Sequence, residues 1–154
     1  MPPRCAESAA ICPTISCAKN GIVRLAEAGL VVADSSVWLA WLTDAAGADR
    51  FAGLFAASRE RLLVPSIAIY EVHRWYLAHD RTNDARLVSG VMAALPVIAL
   101  DASLAATAAG LAKRHRLAMA DAIMLASAYG HQAELWTQDN DFARLPGVRL
   151  FERL

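Results

Sequence analysis

Short apolar runs alternate along the chain with longer segments in which apolar residues recur every three or four positions. The short runs have the length of buried strands and lie at 30–33, 61–65, 97–100 and 134–137, with a further candidate at 148–151. The segments with helical spacing lie at 35–45, 49–58, 66–80, 83–95, 101–116 and 118–131. Because strands and helices alternate, the pattern predicts an α/β fold with a mainly parallel sheet.

Polar residues mark the starts of several predicted helices. Ser35 or Ser36 is placed to cap the first helix, and Ser66 is placed to cap the third. The fifth helix has two candidate caps, Asp101 and Ser103. A side-chain oxygen at such a position accepts a hydrogen bond from a backbone N–H that has no partner within the helix.

The first 28 residues show no clear period and contain all three cysteines, Cys5, Cys12 and Cys17. A secretory signal needs an apolar core of about 7–15 residues, and Pro13 and Lys19 interrupt every candidate. We therefore expect residues 1–28 to be a disordered or loosely packed extension, or the result of a start codon placed too early. Residues 29–154 are expected to form one domain.

Charge and composition exclude several classes of protein. The 15 Lys and Arg residues balance 15 Asp and Glu residues, so a strongly basic nucleic-acid binder is not indicated. A local basic rim or a metal-mediated contact is compatible with this balance. No apolar run approaches the roughly 20 residues of a membrane span, so no membrane partner is expected. An odd number of cysteines, all before Asp34, offers no disulfide framework and predicts a cytoplasmic location.

Four acidic residues have an unusual setting. Asp34 follows the first predicted strand, and Asp139 comes just after the fourth. Because ligands of open parallel sheets bind outside the carboxyl ends of the strands, both side chains should reach one crevice. Glu71 lies about two turns into the third predicted helix, and Asp121 lies near the start of the last one, among Ala, Met, Ile and Leu. Acidic side chains are almost never fully buried without a partner, so Asp121 needs one from elsewhere in the fold.

Convergence of these four carboxylates predicts a metal site. If they lie within about 6 Å of one another, each pair repels by roughly 3 kcal/mol at an effective dielectric near 20. The whole set then repels by an amount on the order of 15 kcal/mol, which equals or exceeds the stability of a typical domain. Such a cluster must be partly protonated or neutralised by cations, and its hard oxygen ligands suit Mg²⁺ or Mn²⁺. Divalent metal between carboxylates indicates phosphodiester chemistry.

Four segments resemble, in order, the sequence blocks of the PIN domain, especially those of VapC-type toxin ribonucleases of bacterial type II toxin–antitoxin pairs. The segments are VVADSSVWLAWL, VPSIAIYEVHR, LAMADAIMLASA and LWTQDNDFARLPGVRL, and the resemblance covers about residues 30–154. It implies a three-layer α/β/α fold with a central, mainly parallel sheet of four to five strands. Ser35 stands where threonine is commoner, and the long N-terminal extension is atypical.

The resemblance also implies which residues form the site. The acidic positions of the family fall on Asp34, Glu71, Asp121 and Asp139. Ser36 and Thr137 match its supporting hydroxyl positions, and Asp141 is a further carboxylate that can assist. The implied function is that of an endoribonuclease toxin in which one or two Mg²⁺ or Mn²⁺ ions activate a water that attacks the RNA phosphate. A cognate antitoxin that covers the site and a homodimer are implied as well.

Each site residue also has a purely structural interpretation. Asp34 and Asp121 can cap helices, and Glu71 can pair with Arg74 on a helix surface. The two aspartates after the fourth strand can belong to a polar loop. Four tryptophans can stack on RNA bases, although core or dimer contacts are the commoner use: Trp38, Trp41, Trp75 and Trp136.

Three other functions remain open from the sequence. A PIN-type nuclease in RNA processing would carry the same acidic residues. A non-catalytic PIN scaffold is disfavoured because all four acidic positions are filled. A phosphorylation-dependent receiver domain also places acids and Mg²⁺ at strand ends, but it needs a lysine late in the chain, and none follows Lys113.

Overall fold

The computed structural model describes residues 29–153, so the predicted extension over 1–28 lies outside the described residues. The strands are β1 (Val31–Ala33), β2 (Leu62–Pro65), β3 (Val97–Ile98), β4 (Glu134–Thr137) and β5 (Val148–Leu150). The α-helices are α1 (Ser35–Leu42), α2 (Ala52–Ala56), α3 (Ser58–Arg61), α4 (Ser66–Ala78), α5 (Thr82–Ala93), α6 (Ala102–His115) and α7 (Met119–Gly130). Two short 3-10 helices span Ala48–Phe51 and Asn140–Phe142.

The five strands of the described chain form one sheet in the order β3-β2-β1-β4-β5, and every neighbouring pair is parallel. The predicted α/β fold with a parallel sheet is therefore confirmed, including the fifth strand. At the centre of the sheet, Val32 lies opposite Leu63 of β2 and Leu135 of β4. A receiver domain has the order 2-1-3-4-5, so the observed order excludes that alternative.

Burial along β1 shows that helices cover both faces of the sheet. Successive side chains of a strand point to opposite faces. Val31, Val32 and Ala33 are nevertheless all buried, as a parallel sheet flanked by helices on both sides requires. The strand reads as a continuous apolar run for this reason, with no polar residue in alternate positions.

The helix α7 is buried around its whole circumference. Seven consecutive residues, 122–128, are buried. The single polar side chain among them, Ser127, donates its hydroxyl hydrogen to the carbonyl oxygen of Ile123 at 2.8 Å. The helix packs against α6, β1 and β4. In a parallel sheet, a helix that leads into a strand begins at the carboxyl edge of the sheet, so α7 holds its first turn at that edge.

Several local predictions need correction. The segment 49–58, predicted as one helix, contains a 3-10 turn, α2 and the start of α3. Ser66 does not cap α4, because β2 runs directly into the helix and Pro65 takes the cap position; the Ser66 hydroxyl instead accepts a hydrogen bond from the backbone N–H of Leu100. Of the two candidate caps of α6, Asp101 is the one used.

Most of the tryptophans serve the core. Trp38 and Trp136 are buried, and Trp41 is half-buried. Trp38 and Trp41 both pack against Phe55, with ring centroids 4.8 and 5.0 Å apart. Among residues 29–153, none of the helices combines the length and the hydropathy that a membrane span requires.

Two leucines on neighbouring strands allow a matched test of this fold. Leu135 in β4 is 0% exposed, whereas Leu150 on the edge strand β5 is 38% exposed. We expect Leu135→Ala to lower the free energy of unfolding by about 2–5 kcal/mol, because it leaves a cavity between sheet and helices. Leu150→Ala should lower it by less than about 1 kcal/mol. Urea unfolding of both variants measures the difference, and equal losses would contradict the assigned strand order.

Candidate metal centre

The sheet brings the ends of β1 and β4 together where the strand order reverses. Asp34 directly follows β1, and its backbone N–H donates to the carbonyl oxygen of Trp136 in β4 at 2.9 Å. Connections run from β1 towards β2 and β3 on one side, while β4 and β5 lie on the other. Ligands of open α/β sheets bind at such a switch point, outside the carboxyl ends of the strands.

The carboxylate of Asp34 is buried and fully engaged. The residue is 5% exposed. Its Oδ1 accepts from the backbone N–H of Ser35 at 2.7 Å and so caps α1, as its structural interpretation supposed. Its Oδ2 accepts from the hydroxyls of Ser36 at 2.7 Å and Thr137 at 2.9 Å. These donors compensate the loss of water around a buried charge.

The two hydroxyls that contact Asp34 are themselves held in place. The oxygen of Ser36 accepts from the backbone N–H of Gln138, and that of Thr137 accepts from the backbone N–H of Asp139, both at 3.0 Å. A hydroxyl has one hydrogen to donate, and in both residues that hydrogen is directed at Asp34. The positions predicted to support the site therefore orient the Asp34 carboxylate and fix the loop after β4.

A tight group of three carboxylates lies where the segment after β4 meets the first turn of α7. Asp121, Asp139 and Asp141 each offer a carboxylate oxygen, and the three oxygens lie within 4.8 Å of one another. Asp139 also caps the 3-10 helix, since its Oδ1 accepts from the backbone N–H of Asp141 at 2.9 Å. That turn makes Asp141 a full member of the group, a larger part than the assisting one that the sequence indicated. Carboxylate oxygens at this spacing are a ligand set for a hard divalent cation.

Asp121 carries the clearest electrostatic signature of the group. It lies in the first turn of α7, where the cap residue Ala118 has no side chain to accept a hydrogen bond. Burial, and after it the negative charges of Asp34, Asp139 and Asp141, together raise the pKa of the half-buried Asp121 carboxyl to about 6. The surroundings of Asp121 therefore oppose its negative charge.

Glu71 lies beside the same group, on α4. Burial raises the pKa of its carboxyl above the ordinary value; the Ser35 hydroxyl lowers it, while the charges of Asp34 and Asp121 raise it. Arg74 lowers it slightly, yet no ion pair joins Glu71 and Arg74 among the residues that the structure describes. Glu71 thus faces the acidic residues, and the helix-surface pair with Arg74 does not form.

The raised pKa of Asp121 predicts a pH-dependent gain in stability for Asp121→Asn in EDTA. The folded pKa lies above the unfolded one, so the wild type loses stability as the pH rises from about 4 through 6. A rise of the pKa from 3.8 to about 6 corresponds to about 3 kcal/mol, which solvent screening of a half-exposed group reduces to roughly 1 kcal/mol. In urea unfolding, the free energy of unfolding of the variant should therefore equal that of the wild type near pH 4. Near pH 7.5 it should be higher by roughly 1 kcal/mol.

A control for this experiment is Glu60→Gln, at an exposed carboxylate of α3. Because α3 leads into β2, this residue lies near the opposite edge of the sheet. We expect the free energy of unfolding of Glu60→Gln to differ from that of the wild type by a constant amount across the same pH range. A constant difference for Asp121→Asn as well would show that the cluster does not repel the Asp121 charge.

Comparisons with known proteins agree with this geometry. The sequence profile of the PIN domain matches residues 31–148. A search of curated proteins finds no match. Among solved structures, a toxin–antitoxin complex from Klebsiella pneumoniae is 23% identical, with a TM-score of 0.66, and the match covers 79% of this chain and 98% of that one.

Two further solved structures have the same fold. DNA-bound VapBC from Salmonella typhimurium is 15% identical with a TM-score of 0.64, and the match covers 82% of this chain and 100% of that one. VapC20 of Mycobacterium tuberculosis, a toxin that cleaves the sarcin–ricin loop, is 17% identical with a TM-score of 0.62, covering 73% and 92%. The matched profile includes all five carboxylates of the site, and the chain belongs to the PIN domain family.

Proposed function

We propose that the protein is a metal-dependent endoribonuclease whose acidic residues hold one or two Mg²⁺ or Mn²⁺ ions. The observation that carries this proposal is the group of three carboxylate oxygens within 4.8 Å of one another. At that distance each charged pair repels by about 3 kcal/mol at an effective dielectric near 20. A divalent cation turns this repulsion into attraction, and all-oxygen ligands favour Mg²⁺ and Mn²⁺ over softer metals.

The proposed roles follow from the contacts. Asp121, Asp139 and Asp141 bind the cation directly, and Asp34 and Glu71 complete the acidic wall. Ser36 and Thr137 hold the Asp34 carboxylate in one orientation through their hydroxyl hydrogens. A divalent ion bound there supplies a nucleophilic water at neutral pH and offsets the charge of the phosphate.

Several observations favour RNA cleavage by a toxin over the alternatives. The four acidic positions and both hydroxyl positions of the family are filled, which argues against a non-catalytic scaffold. Similar structures include a toxin–antitoxin complex and a toxin that cleaves the sarcin–ricin loop. We therefore propose a cognate antitoxin as partner, a homodimer, a cytoplasmic location and a catalytic domain over residues 29–154. A nuclease of RNA processing is the second candidate, supported by the same site.

Cleavage of RNA tests the mechanism. We expect the wild type to cleave single-stranded or structured RNA with Mg²⁺ or Mn²⁺ and to stop when EDTA is added. Asp34→Asn and Asp121→Asn should lower the rate by more than about 100-fold, because each removes a charge that faces the cation. Thr137→Val should lower it by about 10- to 100-fold, because it removes the hydroxyl that orients Asp34. Initial rates on labelled RNA give these ratios.

Matched controls separate chemistry from folding. Thr107→Val makes the same substitution on the exposed side of α6, where the Thr107 hydroxyl donates to the carbonyl oxygen of Ser103. We expect this variant to cleave like the wild type. Equal cleavage by wild type and Asp34→Asn would overturn the proposed mechanism. Cleavage that continues in EDTA would overturn the proposed requirement for a metal ion.

Co-expression tests the toxin assignment. We expect a short open reading frame beside this gene to encode a protein that co-purifies with the chain and inhibits RNA cleavage. Growth of cells that express the chain alone should stop, while Asp34→Asn should be harmless. Unchanged growth with an active nuclease would favour the role in RNA processing.

A further inference from the structure

A cleft of about 430 Å³ opens directly beside the metal centre, and we call it the Trp75 cleft. Its walls come from α1, the following loop, α4, the loop after β4 and the C-terminal segment, and they include Leu39, Ala40, Ala46, Trp75, Gln138 and Arg153. Its volume lies within the range of about 300–1,000 Å³ that is typical of small-ligand sites. The proposed catalytic residues leave this space unused.

The spacing of residues on two helices shows that the cleft continues the metal centre. On α4, Trp75 lies four residues after Glu71, so the two side chains lie on one face of the helix. On α1, Leu39 and Ala40 follow Ser36 by three and four residues and so lie on its face of the helix. One helical turn is about 5.4 Å. A molecule that touches the carboxylates therefore reaches the cleft one turn further along both helices.

The ring of Trp75 is fixed in its position. Its indole is half-buried and stacks on the imidazole of His79, with ring centroids 3.9 Å apart and planes inclined by 26°. Tyr76 packs edge-on against it at 5.1 Å. The Nδ1 of His79 lies 2.7 Å from the carbonyl oxygen of Trp75, which holds the imidazole in turn. A rigid aromatic ring loses little conformational entropy when a ligand stacks on it.

A second cleft of about 570 Å³ adjoins the first and is mostly polar. The two clefts share Gln138 and Arg153, and the second also contains Asp139 of the metal centre. With its amide oriented to satisfy both neighbours, Gln138 donates to the carbonyl oxygen of Ser36 at 3.0 Å and accepts from Arg50 at 2.6 Å. Arg50 also donates to the carbonyl oxygen of Glu152 at 2.6 Å, which ties the C-terminal segment to this wall.

We propose that the Trp75 cleft binds one nucleobase of a single-stranded RNA, next to the phosphate at the metal centre. The inference rests on the proposed function and adds to it the position of a base. Trp75 stacks on the base, the apolar side chains of Leu39 and Ala40 enclose it, and Arg153 contacts the backbone phosphate between the two clefts. Stacking on an aromatic ring accepts any base, since every base has a π-face.

Charge and chemistry favour RNA over a peptide as the occupant. The cleft combines a polar wall and the positive charge of Arg153 with the flat aromatic surface of Trp75. Proteins bind single-stranded nucleic acid with this combination of groups. The neighbouring carboxylates repel a phosphate unless a metal ion is bound, so the base contact supplies affinity that the backbone alone lacks here. A protein segment in the cleft is the alternative outcome of the experiment.

Binding of RNA with a single missing base tests the proposal. Fluorescence anisotropy is recorded with the full chain, Ca²⁺ and a short labelled single-stranded RNA in which each base is replaced in turn by an abasic site. For the wild type, one abasic position should weaken binding by about 5- to 100-fold. In Trp75→Leu that position should no longer matter, and Ala46→Trp should give the same result by filling the cleft from an exposed loop. Arg153→Gln should weaken binding of the intact and abasic RNAs equally.

Matched controls and a separate activity assay make each result decisive. Trp41→Leu removes a half-buried tryptophan that packs on Phe55, outside the cleft, and should keep the full base effect. Arg86→Gln removes an exposed charge on α5 and should leave binding unchanged. Thermal unfolding identifies any variant that fails to fold, in which case Ala46→Trp decides.

Three results would overturn the base subsite. The first is an abasic effect of equal size in wild type and Trp75→Leu, and the second is the absence of any sensitive position. The third is that the cleft variants bind RNA with unchanged affinity but no longer bind a protein inhibitor. That result would make the cleft a protein-docking surface. The proposed nuclease activity fails separately, when the wild type cleaves no RNA with Mg²⁺ or Mn²⁺.

Discussion

The buried carboxylate of Asp34 is the point on which the site depends. It joins the ends of the two central strands, because its backbone donates to Trp136 and its side chain accepts from Thr137. The same side chain caps α1 and receives the hydroxyl of Ser36. Fold and site share these bonds, so the sheet cannot form in this order without placing the carboxylate at the crevice.

Like charges at the crevice set a limit on the stability of the metal-free protein. The fold gathers carboxylate oxygens of Asp121, Asp139 and Asp141 within 4.8 Å of one another, and burial further disfavours the charged form of Asp121. The surrounding core opposes separation, since α7 is buried along seven consecutive residues and holds Asp121 rigidly. Such stored repulsion is a common feature of functional sites, where stability is given up for a ligand-ready geometry.

Much of the architecture could be predicted from the sequence because its signals are local. Apolar runs of strand length end at Asp34 and shortly before Asp139, so the strand-end position of these residues is visible in the one-dimensional pattern. The helix predicted over 49–58 was wrong for the opposite reason. Its apolar residues fit helical spacing, but in the fold a 3-10 turn that packs against α1 precedes two short helices. Ser66 was a plausible cap until tertiary contacts gave its hydroxyl another partner.

The sequence by itself determined the alternation of strands and helices and the acidic residues that end up at the strand ends. Periodicity and residue type act over a few positions, and a chain read in order contains that information. Only the tertiary structure decided the sheet order, the place of Asp141 beside Asp121, and the cleft that joins Trp75 to Arg153. These depend on residues far apart in the chain that meet because α1, α4 and α7 pack around the same strand ends, and no local pattern specifies such distances.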